Sequence, residues 1–446
     1  MKKNLLAALL VAILASSMVF AGFSGSASVG FGGNLDNGNF GFISQGSGVC
    51  LDVELSTANG EAKGEGSVYA SIKGSMSAWL IASKAGNNPS DPKNAFAGDI
   101  RVAGSISEAK VAGENWSVSI LGAPDGLDYA KSAIDFYSEA AKDTWDRGLG
   151  YQKYKPYTFA APYAKTNGLT VNVYDYKLGL ALLGDYNKNN TKVNFAGLVE
   201  TPEYNFSGVT VQAGVSYAYN EFEKIQEGVA KIVDSKYKPT NAMGISAKAG
   251  YTQDAISASL ATDMGIDFLE TTKDEDRFNA DVSANFTYDF VGVDFYYATL
   301  VKNVKNLVSV QASLDFNSFN VPVALTIAAQ DLVNEQALSA EVVVTAVENL
   351  KLTGNAGYAI QSKEWDTGLK AEYKVDEFTA KGAISVASEA KKDAPIYLGA
   401  SASVETEALI NGAKLGLAWS GAKDLLDKDP EVDNYGKIMA SCTIKF

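Results

Sequence analysis

Apolar and polar residues alternate with a period of two in run after run from about Phe23 to Phe446, and this predicts an all-β fold. Tight turns and longer polar links alternate between the runs. No stretch after Ala21 approaches the ~20 apolar residues that a membrane helix requires. Together these features predict an antiparallel transmembrane β-barrel of about 22 strands, within a range of about 18 to 22.

The N-terminus is read first. Lys2 and Lys3 precede an apolar run from residues 5 to 14, and Val19-Phe20-Ala21 offers a small-residue cleavage site before Gly22. This is the layout of a secretory signal peptide, and the run is too short for a retained membrane helix. The predicted organisation is therefore a signal peptide over 1–21 and a single barrel domain over 22–446, with no linker-like change of composition between.

The first half of the barrel predicts strands at 68–80, 100–106, 116–120, 169–173, 178–182, 193–199 and 209–219. Two links there are not ordinary loops. Residues 124–165 carry Leu127, Ala130, Ile134, Tyr137, Ala141 and Trp145 at helical spacing, and 220–238 carry Phe222, Ile225, Val229 and Ile232 likewise. Both predict short amphipathic helices on the external side. One reading folds 124–165 into the lumen, where Asp135, Glu139, Lys142 and Asp143 narrow the channel. The other has both segments capping the outside.

The second half alternates more cleanly. Phe278, Ala280, Val282, Ala284 and Phe286 interleave with Asn279, Asp281, Ser283, Asn285 and Thr287. The runs at 308–316 and 365–375 follow the same rule. Tight turns are expected near Gln253-Asp254, Asp289-Phe290, Asn317-Ser318, Glu348-Asn349, Asp376-Glu377 and Asn411-Gly412. Longer links are expected at 263–275, 302–306, 330–336, 361–364, 388–393 and 420–434. Strict alternation of short and long links puts all short turns at one end, as in outer-membrane barrels. Pro322 would cost a ladder hydrogen bond inside a strand, so it is expected at a strand start or bulge.

Composition then excludes several chemistries. The chain carries 38 Lys+Arg against 52 Asp+Glu, and losing Lys2 and Lys3 leaves the mature chain more acidic still, which argues against nucleic acid. There is no His, so Ser-His-Asp and Cys-His catalysis and His-ligated metals are excluded, and no enzyme is expected. Cys50 and Cys442 alternate on opposite faces, which predicts two free thiols. Asp427, Asp429, Glu431 and Asp433 cluster without the turn Gly and distal Glu of a calcium loop. Gly30-Phe31-Gly32 lacks the helix and the Lys-Ser/Thr of a phosphate loop. Neither a cofactor nor a metal is predicted.

The polar phases predict a lumen wall including Asp52, Glu54, Lys73, Arg101, Asp281, Asp294, Asp315, Glu341, Lys351, Lys370, Glu372 and Lys374. Mixed charges around a pore sort solutes by size and charge. The run Ile438, Ala440, Cys442, Ile444, Phe446 resembles the C-terminal β-signal of bacterial outer-membrane β-barrels, with Ile444 where an aromatic is frequent. That resemblance implies an outer-membrane location and Ile444 and Phe446 as the signal read by the barrel-insertion machinery. By architecture the chain is similar to porins, loosely to the outer-sheath porins of spirochaetes. The likeness implies a channel for passive diffusion of small hydrophilic solutes and ions, in contact with outer-membrane lipid. A homo-oligomer stays open. The rival is a surface adhesin or antigen, in which the barrel anchors external ligand-binding loops. A transporter of hydrophobic solutes would need an apolar lumen patch that the polar phases lack. About 22 strands also fits plugged transporters, but no N-terminal plug precedes the strands.

Overall fold

The structure, a computed structural model, describes residues 23–36, 38–42, 48–56, 68–83, 97–120, 127–131, 168–184, 193–220, 240–268, 277–301, 304–334, 336–361, 363–388, 396–410, 412–422, 425 and 435–445. Its strands begin with β1 (Phe23–Asn34), β2 (Asn39–Phe42), β3 (Gly48–Ser56), β4 (Tyr69–Ser83), β5 (Ala97–Ala112) and β6 (Trp116–Ile120). After a long link come β7 (Gly168–Val173), β8 (Tyr176–Gly184), β9 (Val193–Glu200), β10 (Tyr204–Phe206) and β11 (Val209–Asn220). The cleanly patterned half contributes β12 (Thr240–Gln253), β13 (Ile256–Asp267), β14 (Phe278–Tyr288), β15 (Val291–Val301), β16 (Val304–Asp315), β17 (Val323–Gln330) and β18 (Ala337–Val347). The series ends with β19 (Leu350–Ala359), β20 (Trp365–Val375), β21 (Phe378–Ser388), β22 (Ile396–Ile410), β23 (Ala413–Ala422) and β24 (Lys437–Lys445).

Among the described residues, 24 strands join one antiparallel sheet. Two pairs are halves of a broken strand: β2 and β3 both run along β1, and β9 and β10 both run along β11. The 24 strands therefore make 22 lines, the number expected from the sequence. β24 pairs with β1, from Ser26 opposite Lys445 to Asn34 opposite Lys437. Since β1 also pairs with β3, no line of strand among the described residues is left with a single neighbour. That matters in lipid, which cannot satisfy an open edge.

Turn chemistry explains the tight end. Asp254, Asp289, Asn349, Asp376 and Gly412 all adopt positive φ, between 47° and 76°. Asp, Asn and Gly tolerate that region best, so the hairpins fall where the sequence places them. The turn after β16 is different: a single 3-10 turn, Phe316–Phe319, capped by the Asp315 carboxylate and closed by Asn320 at φ 59°. Pro322 follows it and precedes β17, as expected, and its carbonyl accepts from the Thr345 N–H at 2.9 Å.

Burial is inverted relative to a soluble sheet. One face carries Ser246, Asp263, Asn279, Asp281, Ser309, Gln330 and Asp366, all under 4% exposed. The register holds these in a single series from strand to strand. The opposite face exposes Leu260, Phe278, Ile327, Leu338, Leu369, Ile384 and Leu417 at 47% or more. The polar series is therefore the inner face.

Aromatic residues band the outer face at both ends. Trp116, Tyr176, Phe206, Tyr288, Tyr373 and Phe378 are exposed at the tight-turn end, and Phe31, Phe195, Phe278 and Tyr358 at the other. Phe278 and Tyr288 close the two ends of β14. At about 3.4 Å per residue and about 40° of tilt they bound a band about 26 Å tall, the height of a hydrocarbon core between aromatic girdles.

Two sequence readings need correction. Residues 127–131 are irregular, where helical spacing was read from Leu127 onward. The rest of that link, and 221–239, lie outside the described residues. Strands also run further than expected: β13 continues through Asp267, β16 begins at Val304 and β23 reaches Ala422, because the polar residues taken for links keep the inner-face phase. The cysteine reading agrees with the register: Cys50 and Cys442 align with Ser26 and Val29 of β1, positions of opposite parity, and Cys442 is a free thiol.

Candidate constriction site

Residues 127–131 lie across the inner face from β11 to β14, and this strap is the best-defined feature of the lumen. Leu127 is 2% exposed and Ala130 is fully buried. Leu127 sits directly over Gly214 of β11. A Cβ added there would come within 2.6 Å of the Leu127 Cδ1 and 3.0 Å of the Val199 carbonyl. Glycine in a strand weakens packing but permits such an approach.

The next two residues are held by a carboxylate. Asp263 of β13, fully buried, accepts from the Tyr129 N–H at 3.0 and 3.2 Å and from the Ala130 N–H at 2.9 Å. Charge-assisted bonds of this kind are roughly twice as strong as neutral ones. The Lys131 N–H donates to Ser283 Oγ of β14 at 3.2 Å. The N–H groups of Tyr129, Ala130 and Lys131 thus each meet an inner-face acceptor on β13 or β14.

The Tyr129 side chain completes the dock. Its hydroxyl donates to Glu200 Oε1 at 2.5 Å, and Lys248 Nζ lies 5.5 Å from the centre of its ring. Glu200 also accepts from Gln212 Nε2 at 3.1 Å and pairs with Lys177 at 3.5 Å. Lys248 pairs with Glu203 at 2.9 Å. Burial, the bond to Glu200 and the nearby charges of Glu200, Asp263 and Glu203 push the Tyr129 phenol well above its ordinary range. It stays a proton donor.

The predicted wall residues divide by depth and partner. Register places Asp52, Glu54, Lys73 and Arg101 in the inner-face series, with Glu54 opposite Lys73. Asp281 belongs to the series but is 1% exposed and accepts from the Tyr296 hydroxyl, so it supports the wall and does not face solvent. Asp294 is tied to Asn285 and Gln311. Asp315 caps its turn. Glu341, Lys351 and Lys374 are exposed and Lys370 is half-buried. Glu372 pairs with Lys381 at 3.4 Å, an exposed contact worth about 0–1 kcal/mol. Asp135, Glu139, Lys142, Asp143 and Phe446 lie outside the described residues, and Ile444 lies on the outer face of β24.

Sequence reasoning missed Tyr129, Lys177, Glu200, Glu203, Gly214, Lys248 and Asp263. Two signals were present. Asp263 continues the phase of Ala261 within β13, and Gly214 interrupts an otherwise regular strand. Inner-face accessibility also grades along the axis. Ala298, Leu307, Ala337 and Ala359, near the long-link end, are at most 2% exposed, whereas Lys351 and Lys374 at the turn end are open.

No family model matches the chain, and no curated protein matches it. Solved structures do. A mutant porin of Rhodopseudomonas blastica is similar over 61% of this chain and 97% of its own, at 10% identity and a TM-score of 0.32. A mutant ferric enterobactin receptor of Pseudomonas aeruginosa is similar over 96% of this chain and 81% of its own, at 10% identity and a TM-score of 0.43. OccAB2 of Acinetobacter baumannii covers 95% of this chain and 96% of its own, at 9% identity and a TM-score of 0.35.

Proposed function

We propose that the chain is an outer-membrane channel that passes small hydrophilic solutes and ions by diffusion, narrowed by the 127–131 strap. The observation that carries this reading is the polar inner-face series from Ser246 of β12 to Asp366 of β20 behind an exposed apolar band. Such a surface is costly in water and costs nothing in lipid, where only a sheet without open edges satisfies its backbone. The exposed Glu341, Lys351 and Lys374 then meet permeating ions, and the strap sets the size limit where it crosses β11 to β14. No catalytic role is assigned to any residue.

A second reading is favoured by the low accessibility of the inner face at the long-link end. There the barrel anchors a surface-exposed adhesin or antigen and the lumen conducts poorly. Planar-bilayer recording separates the two. The channel reading expects discrete conductance steps in the purified protein and larger steps in Asp263→Ala, which frees the strap. A protein that inserts but never conducts, with or without that substitution, would support the anchor.

A further inference from the structure

The outer face holds a depression of about 410 Å³ whose lining includes Tyr204, Val211, Ala213, Ala247, Ala249 and Leu260. Register sets Val211, Ala249 and Leu260 side by side on β11, β12 and β13, with Ala213 beside Ala247 one step further along. These three alanines are lower than their surroundings: Val215, Ile245 and Leu260 stand 46%, 38% and 54% exposed around them. A break in the neighbouring line deepens the hollow. Glu200 faces Gly214 and Tyr204 faces Val211, so residues 201–203 oppose only Gln212 and Ala213. An extra residue of this kind bends a strand and interrupts its ladder.

We propose that this groove seats one acyl chain of a phospholipid from the turn-side leaflet. The proposal rests on the membrane reading above. The groove lies on the face that carries the apolar band, between Phe206 at the turn end and the Phe195–Tyr217 contact at the other. Its lining is apolar apart from the Thr201 and Thr262 side of the hollow and offers water few partners, so hydrocarbon fills it. Transfer from bulk lipid supplies no hydrophobic gain. Retention comes from contact: a chain in a groove touches protein on its sides as well as beneath, and dispersion scales with those contacts. The leaflet follows from the rim. The hydroxyls of Tyr176 and Tyr204 share a hydrogen bond of 2.5 Å at the turn-side end. Aromatic rings with a polar tip belong at the headgroup level. The chain therefore enters past Tyr204 and extends toward Ala247.

Native mass spectrometry of protein stripped of lipid and then mixed with phosphatidylethanolamine in detergent tests the assignment. The expected result is one retained phospholipid per chain, lost in Ala249→Trp and in the milder Ala247→Leu, and kept in Leu369→Trp, on the same face but in β20. Retention unchanged in both groove variants, or none in the wild type, overturns the proposal. So does a change of oligomeric state in the groove variants with lipid unaffected, which would assign the hollow to a second copy of the chain. A protein that stays in solution without detergent and does not enter vesicles would instead remove the membrane reading, and this site with it.

Discussion

At the scale of single residues, Gly214 and Asp263 decide where the strap lies. Gly214→Val would place two methyl groups where Leu127 already sits, and β11 and Val199 leave no room to yield. The strap should lift while the sheet, paired on both sides, holds. Single-channel conductance should rise, with the heat-modifiable band on gels unchanged. Asp263→Asn keeps one carbonyl acceptor and should act more mildly than Asp263→Ala, which leaves two backbone donors unmet at about 1–3 kcal/mol each.

Tyr129 supplies a pH signature. Its phenol is held above the ordinary value, so the docked strap keeps its proton where a released strap loses it. That contribution is complete below about pH 10, the ordinary tyrosine range, and drains away as pH climbs further. Wild-type conductance should therefore drift upward above about pH 10. Tyr129→Phe should show no such drift. A drift retained in Tyr129→Phe would assign the effect to another group.

At the scale of an element, the two faces of one strand should answer substitution differently. Arg at Ala284 or Leu314, on the outer face, should destabilise the barrel by about 2–4 kcal/mol near the midplane. Arg at Asn285 or Ser313, one residue away on the inner face, should be tolerated and should shift ion selectivity. Unfolding in denaturant from detergent or vesicles measures the first, and reversal potentials the second. Equal damage from both sets would mean that both faces are buried.

The same alternation made the strands legible. β14, β16 and β20 were readable because each keeps one polar and one apolar face over its whole length. β13 and β23 were read too short because Asp263 and Ser420 resemble link residues, although in a wet lumen they continue the strand. The strap was read as a helix because Leu127 and Ala130 have helical spacing. Those two residues are apolar for a different reason: Leu127 seats on Gly214 of the wall, and Ala130 is fully buried where its N–H meets Asp263.

At the scale of the whole molecule, the seam between β1 and β24 is clasped at the long-link end. The Asp36 carboxylate accepts from the Tyr435 and Gly436 N–H groups at 2.8 and 3.2 Å, and the Leu35 N–H donates to the Gly436 carbonyl at 2.9 Å. Asp36→Ala should cost about 1.5–3 kcal/mol per lost charge-assisted bond. The loss should be local: amide exchange should accelerate in β1 and β24 and stay unchanged in β13 and β14. Uniform acceleration across the sheet would refute the clasp.

Period-two alternation, turn chemistry at Asp and Asn, and the parity of short and long links are local properties, and the sequence alone carried them to an antiparallel sheet of about 22 lines. The pairing of β1 with β24, the burial of Asp281 and the seat of Leu127 on Gly214 join residues far apart in the chain. No local period encodes such contacts, because they depend on which strands become neighbours and how closely a backbone can approach. Those the tertiary structure alone decided.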